Sequence, residues 1–460
     1  MTKAKNIERV NVHNFITNPK QTENGVTLTV LVITIAVILI LAGVSITAIF
    51  DDNGLINKSK QIQDATNKTM QNMLSEVNEL ENKLKERMNI ESGGSGGNDP
   101  TPAGKPKITD SSLTSDDRTT NSETVIAEDT KGNQVVLPGG FKIASDSGET
   151  VQQGIVIEDK AGNQFVWVPV SNINNDGSNK IIKDDGSEVE ITLGRYTFAT
   201  SSPGTPALIQ KGSEYAETTI AKATAGTLDT KYRAGNYWYE LSDSRTSNEK
   251  TDLTATNTTA KNLQDFITKT NKNKGFYIAR YEASYGSGYN SSGSTTAEKY
   301  GNAKPLSKVS TANSTSSMNY TAGTLWNFIT QPQAAIVSQN MYKNDSYIES
   351  DLVNSYAWDT AIVYIQAMGN SNYANQTDGN GTLKNTGATG NQKCKIFDMA
   401  GNIREWITEY STSTNSIRAD SCTNRGGCYY YSTDYTSVRD ISSATYSNYF
   451  ISFRMLFYVK

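Results

Sequence analysis

Apolar residues are concentrated in one unbroken stretch near the N-terminus, residues 26–50 (VTLTVLVITIAVILILAGVSITAIF), which contains no charged residue and no proline. A helix of this length extends roughly 37 Å, enough to cross a hydrocarbon layer of about 30 Å with some tilt. The apolar core of a cleaved signal peptide is shorter, about 7 to 15 residues. Basic residues predominate before the stretch, and Asp51 and Asp52 follow it. The pattern predicts a single-pass membrane anchor, with residues 1–25 in the cytoplasm and the rest of the chain outside.

The junction Asn24-Gly25-Val26 resembles the leader of a type IV prepilin, in which a peptidase cuts after the glycine. The sequence differs from the pilin pattern at Val30, where pilins carry a glutamate that is used in assembly. Two interpretations of residues 26–50 therefore stay open. One is a permanent transmembrane anchor, and the other is the packing helix of a pilin-like structural subunit.

The polar pattern changes twice after the anchor. Residues 51–90 are rich in Lys, Glu, Gln and Asn, and their apolar positions alternate between spacings of three and four. These positions are Met70, Met73, Val77, Leu80 and Leu84. They form one seam along a helical stalk, which either self-associates as a short coiled coil or stays a solvated helix. Residues 91–107 (ESGGSGGNDPTPAGKPK) follow as a Gly/Ser/Pro linker.

From residue 108 onward the chain has short β-type runs between turn residues. Two similar segments, EDTKGNQ at 128–134 and EDKAGNQ at 158–164, each precede an apolar run and predict a β-hairpin with a Gly-Asn turn. We predict a hairpin-rich lead-in at residues 108–149 and a larger domain at residues 150–460. Within that domain the pattern predicts a strand with alternating faces at 275–284, helices at 326–342 and 352–369, and loops over most of 171–270. The second helix would place Trp358, Ile362, Ile365 and Met368 on one side.

Composition removes several classes of function. The chain of 460 residues has a net charge of -4, which provides no electrostatic basis for binding nucleic acid through the main body. The only histidine, His13, lies before the apolar stretch, so histidine-based metal sites and catalytic triads are not expected in the outer domain. The three cysteines, Cys394, Cys422 and Cys428, form no CxxC pattern.

The last 70 residues carry the most specific motifs: FDMAGNIREW at 397–406, Arg425-Gly426-Gly427, and Phe453-Arg454. Together with FVWVPV, GFYIARYEAS and the predicted helix around Trp358, they resemble the formylglycine-generating enzyme (sulfatase-modifying factor) family. The resemblance covers about residues 150–460 and implies an α+β fold of the C-type lectin type with much irregular structure. The motif series is more specific for this fold than for the enzyme.

The resemblance also implies a calcium site, with the side chains of Asp398 and Glu405 and the main-chain oxygens of Gly401 and Ile403 as ligands. Carboxylates that bracket a Gly-Asn turn are suited to a hard cation. The alternative is a capped turn without an ion.

Active members of this family hold copper with two cysteines that follow the RGG motif. The corresponding positions here are Tyr431 and Thr436, so we expect neither copper binding nor formylglycine-generating activity. Cys394 and Cys422 flank the motif, and we predict a disulfide between them that would close a loop of roughly 30 residues. Cys428 is left as an odd thiol.

Residues 428–449, CYYYSTDYTSVRDISSATYSNY, contain six of the 24 tyrosines of the chain, interleaved with Ser, Thr, Asp and Asn. Tyrosine offers a large amphipathic contact area at low entropic cost, as in antibody paratopes. The alternative is a solvated polar loop. The predicted contact residues are Tyr429, Tyr430, Tyr431, Asp434, Tyr435, Tyr446, Asn448 and Tyr449.

The position and composition of this segment resemble the variable proteins of diversity-generating retroelements, in which adenine-directed mutagenesis turns Asn-type codons into Tyr, Ser, Asp, Thr and Cys. The sequence therefore predicts a ligand-binding protein, adhesin- or receptor-like, displayed on a bacterial surface and anchored through residues 26–50. Its ligand would be a protein or a glycan on another cell, a phage or a host surface. A pilin-like subunit and a sulfatase-modifying oxidoreductase are the alternatives.

Overall fold

The computed structural model describes residues 104–199, 202–214, 263–411, 421–431, 434–443 and 446–460, apart from 378, 380, 389 and 391, and the backbone of 223–225 and 230–233. The predicted leader, anchor, stalk and most of the linker lie outside these residues. Among the helices of the described part, none combines the length and apolarity needed to cross a membrane.

The described helices are α1 (Ser111–Thr114), α2 (Leu263–Asn273), α3 (Thr296–Tyr300), α4 (Gln331–Asn340) and α5 (Ser355–Ala367), with 3-10 turns at Asp116–Thr119, Gly212–Glu214 and Tyr373–Asn375. The described strands are β1 (Val125–Glu128), β2 (Gln134–Leu137), β3 (Phe141–Ile143), β4 (Val156–Asp159), β5 (Gln164–Pro169), β6 (Ile181–Ile182), β7 (Glu188–Val189), β8 (Gly194–Phe198), β9 (Pro206–Lys211), β10 (Ala223–Ala225), β11 (Thr230–Arg233), β12 (Gly275–Ala279), β13 (Ser284–Ser287), β14 (Lys304–Leu306), β15 (Ile348–Leu352), β16 (Arg404–Ser411), β17 (Ser421–Arg425), β18 (Arg439–Ser443), β19 (Ile451–Phe453) and β20 (Met455–Val459).

Two six-stranded sheets organise this mixed α+β domain. The first is antiparallel and has the order β15-β20-β12-β5-β4-β3. The second has the order β10-β11-β16-β17-β18, and β19 pairs with β16 in the parallel direction. Because β3 pairs with β4, the predicted boundary at residue 150 falls inside one sheet and does not separate a lead-in from the main domain.

Local turn chemistry explains the two predicted hairpins, which are confirmed as β1–β2 and β4–β5. In the first, the carboxylate of Asp129 accepts hydrogen bonds from the backbone N–H of Lys131 and Asn133. In the second, Asp159 accepts from the backbone N–H of Asn163 in the same way. Each aspartate therefore closes its own turn, which makes the hairpin a local property of the sequence.

The core of the first sheet is aromatic and aliphatic. β12 and β20 are buried at all five positions, unlike the alternating strand that the sequence predicted. Rings of Phe165 and Phe457 approach to 4.6 Å between centroids. The first residue of β12 is Gly275. The Cβ of any other residue at this position would lie 2.3 Å from the ring of Trp167. Both faces of these central strands are packed against other parts of the protein, so buried and exposed side chains do not alternate along them.

The predicted helices are confirmed with shorter bounds, as α4 and α5. Asn354 caps α5 by accepting a hydrogen bond from the backbone N–H of Ala357 at 2.9 Å. The predicted apolar side of α5 (Trp358, Ile362, Ile365 and Met368) is buried. The predicted loop region 171–270 was wrong in part, because it contains the antiparallel pairs β6–β7 and β8–β9 and most of α2.

Candidate ligand-binding face

The RGG motif and the DMAGN turn lie against each other and form the support of the candidate site. Gly426 has φ of +87°, in the left-handed region, and a Cβ on Gly427 would meet the carbonyl oxygen of Ala400 at 2.3 Å. Only glycine allows this backbone approach. The backbone N–H of Tyr429 then donates to the carbonyl of Asn402 at 2.7 Å. The start of the tyrosine-rich segment is therefore attached to the DMAGN turn.

A buried ion pair fixes this support to the end of the first sheet. Arg454 donates through Nε and Nη2 to both carboxylate oxygens of Glu405, at 2.6 to 3.1 Å. Its remaining donors bind the carbonyls of Ala279 and Phe397, each at 2.8 Å. Burial raises the pKa of Glu405, and Arg454 partly offsets that effect. The pair joins β16, β12 and the segment before β20.

A third carboxylate in this region is Glu282. It accepts hydrogen bonds from Asn402 Nδ2 at 2.6 Å and from the backbone N–H of Ile403 at 3.1 Å. Full burial, with the charges of Asp398 and Glu405 nearby, raises its pKa well above the ordinary value. Glu282 thus holds the DMAGN turn in place through these two hydrogen bonds.

A second group of buried charges lies where β8, β16, β17, β18 and α5 come together. Arg425 pairs with Asp359 at 2.6 Å, and Arg439 pairs with Asp359 and with Glu409. Arg195 pairs with Glu409 as well. All five side chains are almost completely buried. Burial and the neighbouring Arg439 lower the pKa of Arg425 to about 10.

Above this support the tyrosine-rich segment exposes part of its side chains. The described part of the chain has five exposed large hydrophobic side chains, and three of them are Tyr430 (56%), Tyr431 (39%) and Tyr446 (37%). Tyr449 and Asn448 are half-buried. Within the described residues, the exposed tyrosines are therefore concentrated on the predicted face.

These tyrosines form one aromatic cluster. The rings of Tyr430 and Tyr431 lie 4.9 Å apart in a T-shaped arrangement, and Tyr430 also approaches Tyr449 at 6.2 Å. Phe450, which is 8% exposed, contacts Tyr430, Tyr431, Tyr446 and Tyr449 from below. We call Tyr430, Tyr431, Tyr446, Tyr449 and Phe450 the tyrosine patch.

Arg404 of β16 holds the patch to the support. Its guanidinium binds Asp434 at 2.6 and 2.7 Å and also binds Asp440. It lies 5.0 Å from the ring centroid of Tyr431 and 5.7 Å from that of Phe450, within cation–π range. The sequence prediction did not include Arg404, Asp440 or Phe450, although the arginine within GNIREW was a signal that this turn binds acidic side chains.

Two of the eight predicted contact residues do not lie on the exposed face. Asp434 is buried because it is bound to Arg404, and Tyr429 is 4% exposed because its backbone is held between Asn402 and Gly381. Tyr435 is half-buried. The structure therefore brings Tyr430, Tyr431, Tyr446, Asn448 and Tyr449 together at the surface and assigns Tyr429 and Asp434 to the support.

Comparison with known proteins identifies the domain. The profile of the sulfatase-modifying factor enzyme 1-like domain, the formylglycine-generating-enzyme type of sulfatase-modifying factor, matches residues 210–456, more than half of the chain. The chain belongs to this family.

One solved structure is similar to the chain, a protein described as the crystal structure of CarF. It shares 12% sequence identity, covers 41% of this chain and 87% of its own, and has a TM-score of 0.26. No curated protein matches the chain.

The residues that the sequence predicted as calcium ligands make hydrogen bonds to other residues of the protein. Both oxygens of Glu405 accept hydrogen bonds from Arg454, and Asp398 accepts from Thr386 Oγ1 at 2.8 Å and from the backbone N–H of Gly387 at 2.7 Å. The backbone N–H of Gly401 donates to the main-chain carbonyl of Asp398, and that of Ile403 donates to the carboxylate of Glu282, so these two bonds leave the carbonyl oxygens of Gly401 and Ile403 unaffected. A guanidinium is thus bound to one of the two carboxylates that the cation would need. The calcium site stays a prediction.

More generally, no group of three or more His, Cys, Asp or Glu side chains in the described part of the chain is arranged to hold a metal ion.

The predicted disulfide between Cys394 and Cys422 is not formed: these residues and Cys428 are buried thiols. Cys422 lies in the middle of the second sheet, paired with Tyr410 and Ser442. Cys394 lies in a turn, where the amide of Asn370 approaches its Sγ at 3.9 Å. The two cysteines belong to different parts of the fold, although they flank the same motif in sequence.

The thiols give a direct prediction. Burial raises the pKa of Cys394 to about 12 and that of Cys428 to about 11, and thiolates are the reactive form. We expect iodoacetamide at neutral pH to modify the folded protein slowly and to modify all three cysteines after unfolding without reductant. Mass spectrometry of the peptides measures both results. A peptide pair crosslinked through Cys394 and Cys422 would contradict the structure.

Proposed function

We propose that this member of the sulfatase-modifying factor family is a ligand-binding protein without catalytic activity, and that the tyrosine patch is its contact surface. The observation that carries the proposal is the grouping of three exposed tyrosines over a buried phenylalanine. Exposed aromatic residues are costly in water and are enriched at the centres of binding interfaces. The ligand class is a protein or a glycan on another cell, a phage or a host surface.

Support for a binding role without chemistry comes from the positions where active relatives hold copper. Tyr431 is an exposed part of the patch, and Thr436 is buried, with its backbone N–H bonded to the carbonyl of Gln376 at 3.0 Å. Neither side chain supplies a thiolate. We propose that the face that serves catalysis in those relatives serves recognition here. Incubation with copper and a CxPxR peptide tests this directly, and formation of formylglycine would refute it.

We also propose that the segment 428–449 is diversified by a retroelement. Its composition supports this, because Tyr, Ser, Thr, Asp and Asn make up most of it. The support beneath the patch is suited to variation above it, since Arg454–Glu405 and the RGG glycines hold the frame independently of the exposed side chains. A near-repeat of the 3′ end of the gene, different only at adenines and next to a reverse transcriptase, is the expected genomic arrangement. An invariant 3′ end would remove this part of the proposal.

Display at the bacterial surface is the remaining part, and it rests on residues 26–50 and on the polar stalk and linker that follow. Protease treatment of intact cells should release the domain and leave the N-terminus in the membrane fraction. Assembly of the chain into filaments with cleavage after Gly25 would instead favour the pilin-like interpretation.

The binding proposal predicts that Tyr430→Ala/Tyr431→Ala/Tyr446→Ala abolishes binding, because it removes the exposed rings and leaves the support intact. The full chain would be tested on an array of defined glycans and by panning a phage-displayed library of random dodecapeptides. The melting temperature should stay close to that of the wild type, since all three side chains are exposed.

The matched control is Ile126→Ala, which removes another exposed apolar side chain, 49% accessible, from the separate β1–β2 hairpin. It should bind like the wild type. Glycans or peptides that bind the triple variant as well as the wild type would refute the tyrosine patch as the contact surface.

A further inference from the structure

Phe328 lies next to the tyrosine patch but belongs to another part of the sequence. Its backbone N–H donates to the carbonyl of Asn448 at 3.0 Å. Its ring centroid lies 6.4 Å from that of Tyr449 at an interplanar angle of 57°. The chain between β14 and α4 therefore reaches the edge of the patch, and it does so through an aromatic side chain.

The backbone of Phe328 is in a conformation that a bulky residue rarely adopts. Its φ is +51°, in the left-handed region, where glycine is favoured and a branched or aromatic residue is an outlier. Strained residues of this kind persist where the surrounding structure holds them and cluster at functional sites. A glycine would make the same turn without the steric conflict between Cβ and backbone.

The turn does not require the phenyl ring. The carbonyls of Trp326 and Ile329, on either side, accept hydrogen bonds from Ser452 Oγ at 2.8 Å and from Trp406 Nε1 at 2.9 Å. Asn327 donates to the carbonyl of Tyr449 at 3.0 Å. Backbone and neighbouring side chains thus attach this turn to the segment that carries Tyr446 and Tyr449.

The ring is not used by the hydrophobic core either. Trp326 and Ile329 are fully buried, whereas Phe328 is half-buried and does not pack against the core formed by the described residues. Its ring contact is with Tyr449, at the rim of the patch. Phe328 thus combines a strained backbone with a partly exposed ring at the edge of the tyrosine patch.

We propose that Phe328 is a ligand-contact residue, supplied by the constant part of the domain and continuous with the tyrosine patch. The inference rests on the proposed binding function and deepens it, because it also indicates the kind of ligand. Phe328 adds an apolar ring to the aromatic patch, and aromatic residues, phenylalanine included, are enriched in the cores of protein–protein interfaces. The partner is therefore a protein segment that contacts Tyr430 and Phe328 together.

The test compares Phe328→Gly, Phe328→Tyr and Tyr430→Ala in the full chain. The probes are dodecapeptides that a random phage-displayed library enriches on the wild type and loses on Tyr430→Ala. We expect Phe328→Gly to weaken their binding by about thirtyfold or more, the range of an interface hot spot. Its melting temperature should stay the same or rise, because glycine relieves the positive φ. Phe328→Tyr keeps the ring and should keep most of the affinity.

The outcomes separate the inference from the function on which it rests. Wild-type affinity in Phe328→Gly, with loss in Tyr430→Ala, would overturn the role of Phe328 and leave the tyrosine patch in place. A parallel fall of affinity and melting temperature in Phe328→Gly would show a purely structural role and would also overturn the inference. If no enriched peptide depends on Tyr430, both the proposed function and the inference are wrong for protein ligands.

Discussion

Replacement of Arg454 by methionine is expected to lower the free energy of unfolding by about 3–5 kcal/mol, the range for removal of one partner from a buried ion pair. Both oxygens of Glu405 accept hydrogen bonds from this guanidinium, and Arg454 and Glu405 are fully buried. Without it, the charge of Glu405 stays in the interior beside Glu282 and Asp398, with no cation to compensate it. Methionine fills a similar volume, so the loss is electrostatic and not a cavity effect.

Urea unfolding of the full chain at neutral pH measures this loss. The control is Arg454→Met/Glu405→Gln, which removes the uncompensated charge together with the cation and should recover part of the stability. A single variant within about 1 kcal/mol of the wild type would mean that the pair contributes no more than an exposed one. The same variant should lose binding to the probes, because Arg454 holds the support of the tyrosine patch.

Replacement of Asp359 by alanine is the second change with a large expected effect, also about 3–5 kcal/mol. Asp359 binds Arg425 through one carboxylate oxygen and Arg439 through the other, and it accepts a hydrogen bond from the backbone N–H of Tyr196 at 2.9 Å. Its removal leaves three buried guanidiniums, those of Arg195, Arg425 and Arg439, against the single carboxylate of Glu409.

The chain offers a matched control for this prediction. Asp116 also forms an ion pair with a basic residue, Lys142, but the side chain of Asp116 is 88% exposed. Asp116→Ala should change the free energy of unfolding by less than about 1 kcal/mol, because Asp116 is exposed to water and Lys142 keeps a second partner, Glu158, at 3.7 Å. Equal effects of Asp359→Ala and Asp116→Ala in urea titrations would contradict the role assigned to burial.

The two hairpins and α5 could be predicted because the hydrogen bonds that determine them join residues close together in the sequence. Asp129 and Asp159 each bind backbone N–H groups of their own turn, and Asn354 caps the helix that follows it. The short strands β6–β9 were missed for the opposite reason. These strands are short and lie in a largely polar region of the sequence. They are strands because β6 pairs with β7 and β8 with β9, and because β8 packs on α5, where Gly194 donates to Thr360 Oγ1 at 3.2 Å.

The place of the tyrosine patch could be predicted, but not which of its tyrosines are exposed. Tyrosine-rich composition marks residues 428–449 as a surface whichever tyrosine is exposed, because no apolar period is present there. Whether Tyr429 faces inward or Tyr430 faces outward depends on Asn402 and Gly381, and both are distant in sequence from the segment. Phe328 was not predicted because its aromatic neighbour, Tyr449, is more than a hundred residues away.

The sequence by itself determined the family motifs, the hairpins, the main helices and the concentration of tyrosine near the C-terminus, since each of these is encoded by neighbouring residues. Tertiary structure alone decided three other points. Arg454 binds the carboxylate that the calcium prediction required, Cys394 and Cys422 lie in different parts of the fold, and Arg404 binds Asp434 beneath the patch. All three depend on which charges and thiols meet in the interior, and that is set by long-range packing that no local pattern contains.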